Sequence, residues 1–291
     1  MKPADVLVAV LVAVIWGLAF VASRIALDEL PPELMTALRF SIAAIPCLFL
    51  GKPDVSWWLL IGISLSLFLG QFLAQAFAIA HGVPVGLSSV IVQSQALFTI
   101  AFAAVLFREL PTRMQTAGIA VATLGLLMIA GTVGYDFSVA AFAVLMISPV
   151  SFAVGNLALR GAQGARMFDL FAWLCLVAAM PLVALALVRT GPQPTWHALT
   201  HISLTGFACM LFLGGASTSI AYWLWGRLLR DYQAAQVVPF ALLVPFVGSA
   251  ASSMVFGETF GPLRLAGMLT VVGGIAVMLL AKRPQALPKT A

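Results

Sequence analysis

Polar side chains interrupt the apolar run GLSSVIVQSQALFTI at residues 86–100. They are hydroxyls and amides, which exchange hydrogen bonds with water, a solute or a neighbouring helix. At 100° per residue, Ser88, Gln95 and Thr99 fall on one face of a helix. An unpaired amide in hydrocarbon is costly, so this face is expected to point inward. The pattern predicts one wall of a polar cavity, with hydrogen bonding between helices as the alternative for each single residue.

A second pair of amides, Gln71 and Gln75, is spaced four residues apart and therefore shares a face of another helix. We expect this face and the first to enclose the cavity, and the second half of the chain to supply the opposite wall. Aromatic rings near the polar cluster would favour aromatic solutes by stacking. The candidate binding residues are Trp16, Phe20, Gln71, Gln75, Ser88, Gln95, Thr99, Ser217, Tyr222 and Pro239.

Covalent or metal chemistry has no matching constellation in the sequence. There is no Ser-His-Asp grouping, no HExxH and no GxxxxGK[ST] phosphate-binding loop. His197 and His201 have a spacing that suits a metal, but no acid or cysteine nearby completes a shell. The three cysteines are an odd number without a spacing pattern. We expect no enzyme, no metal site and no cofactor.

Composition places these side chains in a membrane. The chain of 291 residues is 62% hydrophobic and 9% charged, with a mean hydropathy of +1.09. A soluble protein needs more charge to cover its surface. Crossing the bilayer takes about 20 apolar residues of helix. Ten windows of this kind are predicted: 6–27, 34–51, 57–80, 84–107, 113–131, 138–159, 168–189, 203–226, 233–256 and 262–281.

The distribution of Lys and Arg predicts the orientation of these ten spans. Eleven of the 15 basic residues fall in loops on the side of the N-terminus. The positive-inside tendency therefore predicts that both termini are cytoplasmic. The net charge of +5 is interpreted as a topology signal, so we expect the lipid bilayer, and not a nucleic acid, as the partner of the basic residues.

The two halves of the chain resemble each other when they are shifted by 149 positions. The matched pairs are Phe107 with Phe256, Glu109 with Glu258, Ala117 with Ala266, Gly118 with Gly267 and Gly125 with Gly274. Each half holds five predicted spans, an odd number, so the second copy must enter the membrane from the opposite side. The predicted fold is an all-α integral membrane protein of ten transmembrane helices in two inverted-topology repeats, residues 1–135 and 136–291.

Several segments together carry a family resemblance. They are VIWGLAFVASRIAL (14–27), ALRFSIAAIP (37–46) and two F-x-E junctions, each with Gly at the ninth position after the Glu. In this order they resemble the EamA type of the drug/metabolite transporter superfamily, and within it the exporters of aromatic amino acids. The resemblance covers residues 6–281. It implies a Pro within the fourth helix of each half. The second half has this residue, Pro245, but the matching position of the first half holds Ala96.

The resemblance implies a bacterial inner-membrane protein that moves aromatic amino acids and related small metabolites or drugs outward. We expect alternating access between the two halves, and a monomer. All ten acids lie at predicted helix ends or loops, as do the three His residues, so transport is expected to be uncoupled and the cavity uncharged. Neutral or zwitterionic solutes fit such a cavity best.

Several alternatives remain open. Glu109 or Glu258 at a helix boundary would serve as a proton relay in a coupled exporter of other substrates. A polar stripe also suits a solute channel, and a receptor or scaffold would show no flux at all. Arg39 lies about five residues inside its span and is expected to extend outward towards Asp28, Glu29 or Glu33, with contact to substrate as the alternative.

Overall fold

The computed structural model describes residues 1–134, 137–162 and 164–280, with the backbone alone at residues 234 and 235. Within these residues all regular secondary structure is helical, as predicted. Helices form because, in hydrocarbon, a helix satisfies its backbone groups within one segment. The predicted boundary between the halves, at 135 and 136, and the end of the last predicted span, at 281, lie outside the described residues.

Nine helices in the described part of the chain are long and apolar enough to cross a membrane. Numbered in chain order, with α2 kept for a shorter helix, they are α1 (Pro3–Leu27), α3 (Trp57–Ala80), α4 (Val85–Phe107), α5 (Arg113–Ala130), α6 (Val139–Ala162), α7 (Met167–Thr190), α8 (Leu204–Asp231), α9 (Val238–Phe256) and α10 (Pro262–Leu280). Each overlaps one predicted window. The protein is therefore a multi-pass membrane protein.

The second predicted window, 34–51, forms a shorter element. Helix α2 (Pro32–Ala43) has 12 residues, and a single turn of 3₁₀-helix, Ile45–Leu48, follows it. The α-helix ends here because Pro46 has no N–H for the carbonyl of Ile42. At 1.5 Å per residue α2 covers about 18 Å, less than the hydrocarbon thickness of about 30 Å.

One helix was not predicted. Pro192–Thr200 forms a short connecting helix between α7 and α8, where a loop was expected. Gly191, with a φ of 85°, lets the chain turn sharply out of α7, and Pro192 suits the first helical position. The rings of His197 and His201 stack at this helix with centroids 3.9 Å apart.

Helices α5 and α10 pack with their backbones in direct contact through two pairs of glycines. A Cβ placed on Gly118 would lie 2.7 Å from the carbonyl oxygen of Gly274, and one on Gly125 would lie 2.7 Å from that of Gly267. The pairing is antiparallel and reciprocal. Gly118 contacts Gly274, which is the repeat counterpart of Gly125, and Gly125 contacts Gly267, which is the repeat counterpart of Gly118; counterparts are 149 positions apart. Small residues permit this close approach between membrane helices.

Two helices contain π-helical stretches at corresponding places. Ser64–Gly70 in α3 and Phe212–Ile220 in α8 both have this wider turn. A shift of 149 positions places the first stretch within the second. Insertions of this kind are frequent at functional sites because they redirect the side chains that follow. Both stretches contribute to the wall of one cavity, Phe68 from the first and Thr218 from the second.

The bundle has two ends, named here by α1. The near end is where α1 begins at Pro3, and the far end is where α1 finishes at Leu27. Short connections make successive helices run in opposite directions. Helices α3 and α7 therefore also begin at the near end, whereas α2 and α8 begin at the far end.

Candidate functional site

Arg39 of α2 lies in the interior of the bundle, where only 4% of its surface is exposed. Its Nε donates a hydrogen bond to Thr218 Oγ1 at 3.0 Å, and its Nη2 donates to Ser217 Oγ at 3.2 Å. The guanidinium carbon lies 4.2 Å from the centre of the Phe72 ring. The expectation that Arg39 extends outward to an acid is therefore wrong, and so is the expectation of an uncharged interior.

Close contact between α2 and α8 explains this inward orientation. Gly214 has no side chain, and a Cβ at that position would lie 2.8 Å from the carbonyl oxygen of Arg39. The π-helical stretch of α8 then presents Ser217 and Thr218 to the guanidinium. Thr218 donates its own hydroxyl to the carbonyl of Leu213, five residues earlier, at 2.8 Å. Its oxygen is thereby left to accept from Arg39.

Two predicted aromatic residues join this cluster. Trp16 of α1 donates from Nε1 to the backbone carbonyl of Ser217 at 3.1 Å. Its ring lies 5.4 Å from the ring of Tyr222, measured between centroids, and 5.1 Å from that of Trp225. The structure therefore brings Trp16, Ser217 and Tyr222 together around α8, with Arg39 on the other side of Ser217.

A cavity lies on the far-end side of Arg39. Its lining includes Ser23 of α1, Thr36 and Arg39 of α2, and Phe72 and Gln75 of α3. The space among these side chains, including its part open to solvent, is about 210 Å³. Gln75, one of the predicted site residues, thus shares a cavity with the buried guanidinium.

A second cavity lies on the near-end side of the same cluster, and its space, including the part open to solvent, is about 330 Å³. Aromatic rings dominate its wall: Phe68, Phe168, Phe171, Tyr222 and Trp223. The ring of Tyr222 lies 5.0 Å from that of Phe171 and 6.1 Å from that of Phe68. Thr218, the partner of Arg39, also lines this cavity. The Arg39–Thr218 hydrogen bond therefore joins a residue of one cavity to a residue of the other.

The polar residues of α4 make different contacts. The Ser88 hydroxyl donates to Pro84 of the same helix at 3.0 Å, and the Thr99 hydroxyl to Gln95 at 2.7 Å. Gln93 reaches α9, where Nε2 donates to the carbonyl of Ala241 at 2.7 Å. Neither of the two cavities described above has a residue of α4 in its lining. Gln93 thus makes the hydrogen bond between helices that was considered as the alternative, whereas the hydroxyls of Ser88 and Thr99 bond to their own segment.

Helix α4 is interrupted although it lacks the proline of its counterpart. Its two parts, Val85–Val92 and Gln95–Phe107, are separated at Gln93 and Ser94. Helix α9 has a stretch of 3₁₀-helix, Val238–Leu242, at the corresponding place. The two halves thus both break within the fourth helix, one of them without proline.

The remaining predicted residues lie apart from Arg39. Phe20 is buried in the apolar core that α1 forms with α4 and α9. Pro239 is partly buried in the 3₁₀ stretch of α9. Gln71 is buried, and its Oε1 has no hydrogen-bond partner among the described residues, as is also true of Gln95 Oε1. The structure therefore leaves these two amide oxygens as acceptors without a donor.

The two acids considered as relays have partners at the ends of helices. Glu258 accepts from the backbone N–H groups of Val85 and Gly86 at 2.6 and 2.9 Å, and from Ser252 Oγ at 2.7 Å. It thereby caps the start of α4 from the loop between α9 and α10. Glu109 accepts two hydrogen bonds from the guanidinium of Arg160, at 2.6 and 3.1 Å.

Sequence reasoning missed the place of Arg39 at the centre of this cluster. The signal for Arg39 was its position inside an apolar window, since charges within membrane segments are costly and tend to face the interior. Phe168 and Phe171 were missed because phenylalanine is common throughout these helices.

Comparison with known proteins agrees with this architecture. The profile of the EamA-like transporter family matches residues 4–131 and 139–280. A probable amino-acid metabolite efflux pump of Salmonella typhimurium is 34% identical, with 95% of each chain covered. A protein of the same description from Escherichia coli is 31% identical over the same shares.

Two further similarities are more distant. A probable terminal-alkyne amino-acid exporter of Streptantibioticus cattleyicolor is 27% identical over 94% of this chain and 92% of its own. A solved crystal structure superposes with a TM-score of 0.64 at 17% identity, covering 95% of this chain and 96% of its own, which shows a shared fold. Since the family profile covers nearly all of both halves, the chain belongs to the EamA-like transporter family and is a transporter, not an enzyme.

Proposed function

We propose that this transporter exports amino acids, aromatic ones foremost, and related small metabolites across a bacterial inner membrane by facilitated alternating access. The observation that carries the proposal is the pair of cavities that meet at the Arg39–Thr218 hydrogen bond from opposite ends of the bundle. A carrier of this kind exposes one central site to each side in turn. The relatives described as amino-acid efflux pumps and exporters support the direction and the solute class.

Aromatic solutes are proposed because of the near-end cavity. Five aromatic rings line it, and offset or edge-to-face contacts with a bound ring would add about 0.5–1.5 kcal/mol per pair. The Trp16 and Tyr222 rings extend the same surface towards α1.

Ten spans in two inverted halves, 1–135 and 136–291, are part of the proposal. The reciprocal glycine contacts between α5 and α10 are those expected of two copies related by a twofold axis. The matching π-helical stretches and the two segments matched by the family profile support the same division. Helix α2 and its 3₁₀ turn would then make the tenth crossing, and both termini would face the cytoplasm.

Uncoupled transport is proposed because neither cavity has an Asp, Glu or His among the described residues that line it. A proton relay in a carrier needs such a group along the path of the substrate. Glu109 and Glu258 are instead engaged at helix ends. The gradient of the substrate itself would drive export, and a monomer would suffice for it.

Purified protein in proteoliposomes tests this proposal. The vesicles are loaded with radiolabelled L-phenylalanine, L-tryptophan, L-leucine, L-serine, L-aspartate or L-lysine, and release is followed with and without an imposed pH gradient. We expect saturable release and counterflow, fastest for the aromatic amino acids and unchanged by the gradient. Flux that rises linearly without counterflow would indicate a channel, and a steep dependence on the gradient would indicate proton coupling.

A further inference from the structure

The guanidinium of Arg39 is a buried charge without an acidic partner in the described residues. Its hydrogen-bond acceptors are two hydroxyls, and the face of Phe72 covers it. The nearest acid along its own helix is Glu33, which accepts from Thr190 and lies 4.0 Å from Arg189 Nε. In each ion pair of the described residues, the basic partner is a residue other than Arg39. The charge of Arg39 is thus balanced by neutral dipoles alone.

A buried cation in this state is costly. Burying a charge is tolerated when a counter-charge and hydrogen bonds compensate the loss of water, and hydroxyl groups supply only the second of these. Arginine also stays protonated in proteins, so it cannot lose its charge to lower this cost. The site therefore favours the arrival of an anion.

The guanidinium still has a donor to offer. Nε and Nη2 are used, whereas Nη1 makes no hydrogen bond within the described part of the chain. The residue also lines the far-end cavity, so an incoming group can reach it. A planar fork of N–H donors matches the two oxygens of a carboxylate better than any other side chain does.

We propose that Arg39 binds the carboxylate of the transported solute, an inference that rests on the proposed export of amino acids. One carboxylate oxygen accepts from Nη1, and the other accepts from Nε or Nη2, which donate to Thr218 and Ser217 in the empty site. The carboxylate displaces Thr218 from the guanidinium, and the carbon chain of the solute then extends past Thr218 into the near-end cavity, towards Phe68, Phe171 and Tyr222. Solutes that lack a carboxylate are rejected because they leave the guanidinium uncompensated.

This assignment gives Arg39 a second effect on the carrier. Arg39 belongs to the first half of the chain, and Ser217 and Thr218 belong to the second, so their hydrogen bonds join the two halves. A carboxylate that competes for the same donors weakens this link. Occupation of the site would therefore ease the movement between the halves, which an empty site resists.

The first test uses the unaltered protein and three related solutes. Proteoliposomes are loaded with L-phenylalanine, L-phenylalaninamide or 3-phenylpropionate, which share the ring and differ in the carboxylate or the ammonium group. We expect L-phenylalanine to be released roughly 10- to 100-fold faster than its amide, since a charge-assisted hydrogen bond is lost. We expect 3-phenylpropionate to compete with L-phenylalanine, and the amide not to compete.

The second test replaces the guanidinium. Arg39→Gln is expected to slow release of L-phenylalanine by the same factor. L-phenylalanine and its amide should then be released at nearly the same rate, whereas Arg39→Lys keeps part of the preference for L-phenylalanine. The matched control is Arg24→Gln, which removes an arginine from the neighbouring helix that pairs with Asp28 at the surface. Size-exclusion profiles and melting temperatures establish that each variant is folded.

The outcomes separate this inference from the proposed function. Equal release of L-phenylalanine and its amide by the unaltered protein would overturn the inference and leave amino-acid export standing. An Arg39→Gln variant that stays folded and keeps the preference for the acid would overturn it as well. If the unaltered protein released none of the amino acids tested, the proposed function itself would be wrong. Should Arg39→Gln not fold, the solute series and Arg39→Lys decide the question.

Discussion

The side-chain Nε2 of Gln93 donates a hydrogen bond of 2.7 Å to the backbone carbonyl of Ala241. In a regular helix that carbonyl would accept from the N–H of residue 245, but Pro245 has none. An amide of α4 thus supplies the hydrogen bond that a proline of α9 removes. A polar residue in the membrane interior therefore has a structural explanation here, in contrast to Arg39.

Replacing Gln93 by Leu is expected to lower the free energy of unfolding by about 1–3 kcal/mol, because the partly buried carbonyl of Ala241 would lose this donor and keep only the contact with the backbone N–H of Leu243. The same replacement combined with Pro245→Ala is expected to cost much less, since Ala at 245 regains the backbone N–H. Thermal unfolding of the four proteins in detergent gives the coupling between the two positions. An identical cost of Gln93→Leu in both backgrounds would refute the explanation.

The contact between α5 and α10 makes a second prediction. Gly274→Ala is expected to destabilise the protein by roughly 1–3 kcal/mol, because the new methyl group would press on the backbone of Gly118 and Ala122. The matched control is the adjacent Gly273→Ala, where a Cβ meets nothing within 4 Å. That change should be neutral or slightly stabilising, since alanine favours helix. Equal melting temperatures for the two variants would argue against the contact.

Low pH is expected to weaken the contact between Glu29 and Ser203 at the far end of the bundle. Glu29 accepts from the Ser203 hydroxyl at 2.6 Å and from the Ser203 N–H at 2.7 Å. These hydrogen bonds, the one from the side chain foremost, lower the pKa of Glu29 below its ordinary value of 4.5. The folded-state pKa is the lower one, so the stabilisation is complete above about pH 4.5 and is lost as the pH falls through the lowered pKa.

Melting temperatures of Glu29→Gln and the unaltered protein measure this effect. The variant should be less stable at pH 7, and the difference should vanish in acid, where Glu29 is itself protonated. Asp54→Asn serves as the control, because Asp54 is exposed and forms no ion pair or hydrogen bond within the described residues. A difference for Glu29→Gln that stays constant down to pH 3 would contradict the link.

Transport by glutamine and threonine variants distinguishes the residues that line a cavity from those that hold helices together. Gln75→Leu is expected to slow release of L-phenylalanine at least about 10-fold, because its amide lines the cavity beside Arg39. Thr99→Val should change release little, since that hydroxyl bonds within its own helix. If Thr99→Val impaired transport as much as Gln75→Leu, the polar face of α4 would belong to the binding site after all.

Much of the fold follows from the sequence because apolar windows of membrane length allow few structures. The nine long helices lie where these windows are, and Pro46 explains why the second window yields a shorter helix. The connecting helix Pro192–Thr200 was missed because its residues are too polar for a span and too few for a clear periodic pattern. Its start becomes clear only with the backbone conformation of Gly191.

The site was less accessible to sequence reasoning, because polar residues in a membrane helix serve packing or binding and look the same in either role. Gln93 and Gln75 illustrate this: one satisfies a carbonyl freed by Pro245, and the other lines a cavity. The orientation of Arg39 depends on how closely Gly214 lets α8 approach and on the π-helical turn that follows. Both are properties of packing between distant segments, which one sequence does not display.

Alternating exposure of the two cavities is the central claim, and cysteine accessibility tests it most directly. Cys175 lines the near-end cavity, and Ala76→Cys would place a thiol in the far-end cavity. The first variant keeps Cys175 alone, with Cys47 and Cys209 replaced by Ser, and the second carries Ala76→Cys with all three native cysteines replaced by Ser. A membrane-impermeant maleimide is applied to each from either side, with and without L-phenylalanine. We predict that each position is labelled from one side only and that L-phenylalanine shifts the two rates in opposite directions. Labelling of both positions from the same side, or rates that do not respond to L-phenylalanine, would contradict the account.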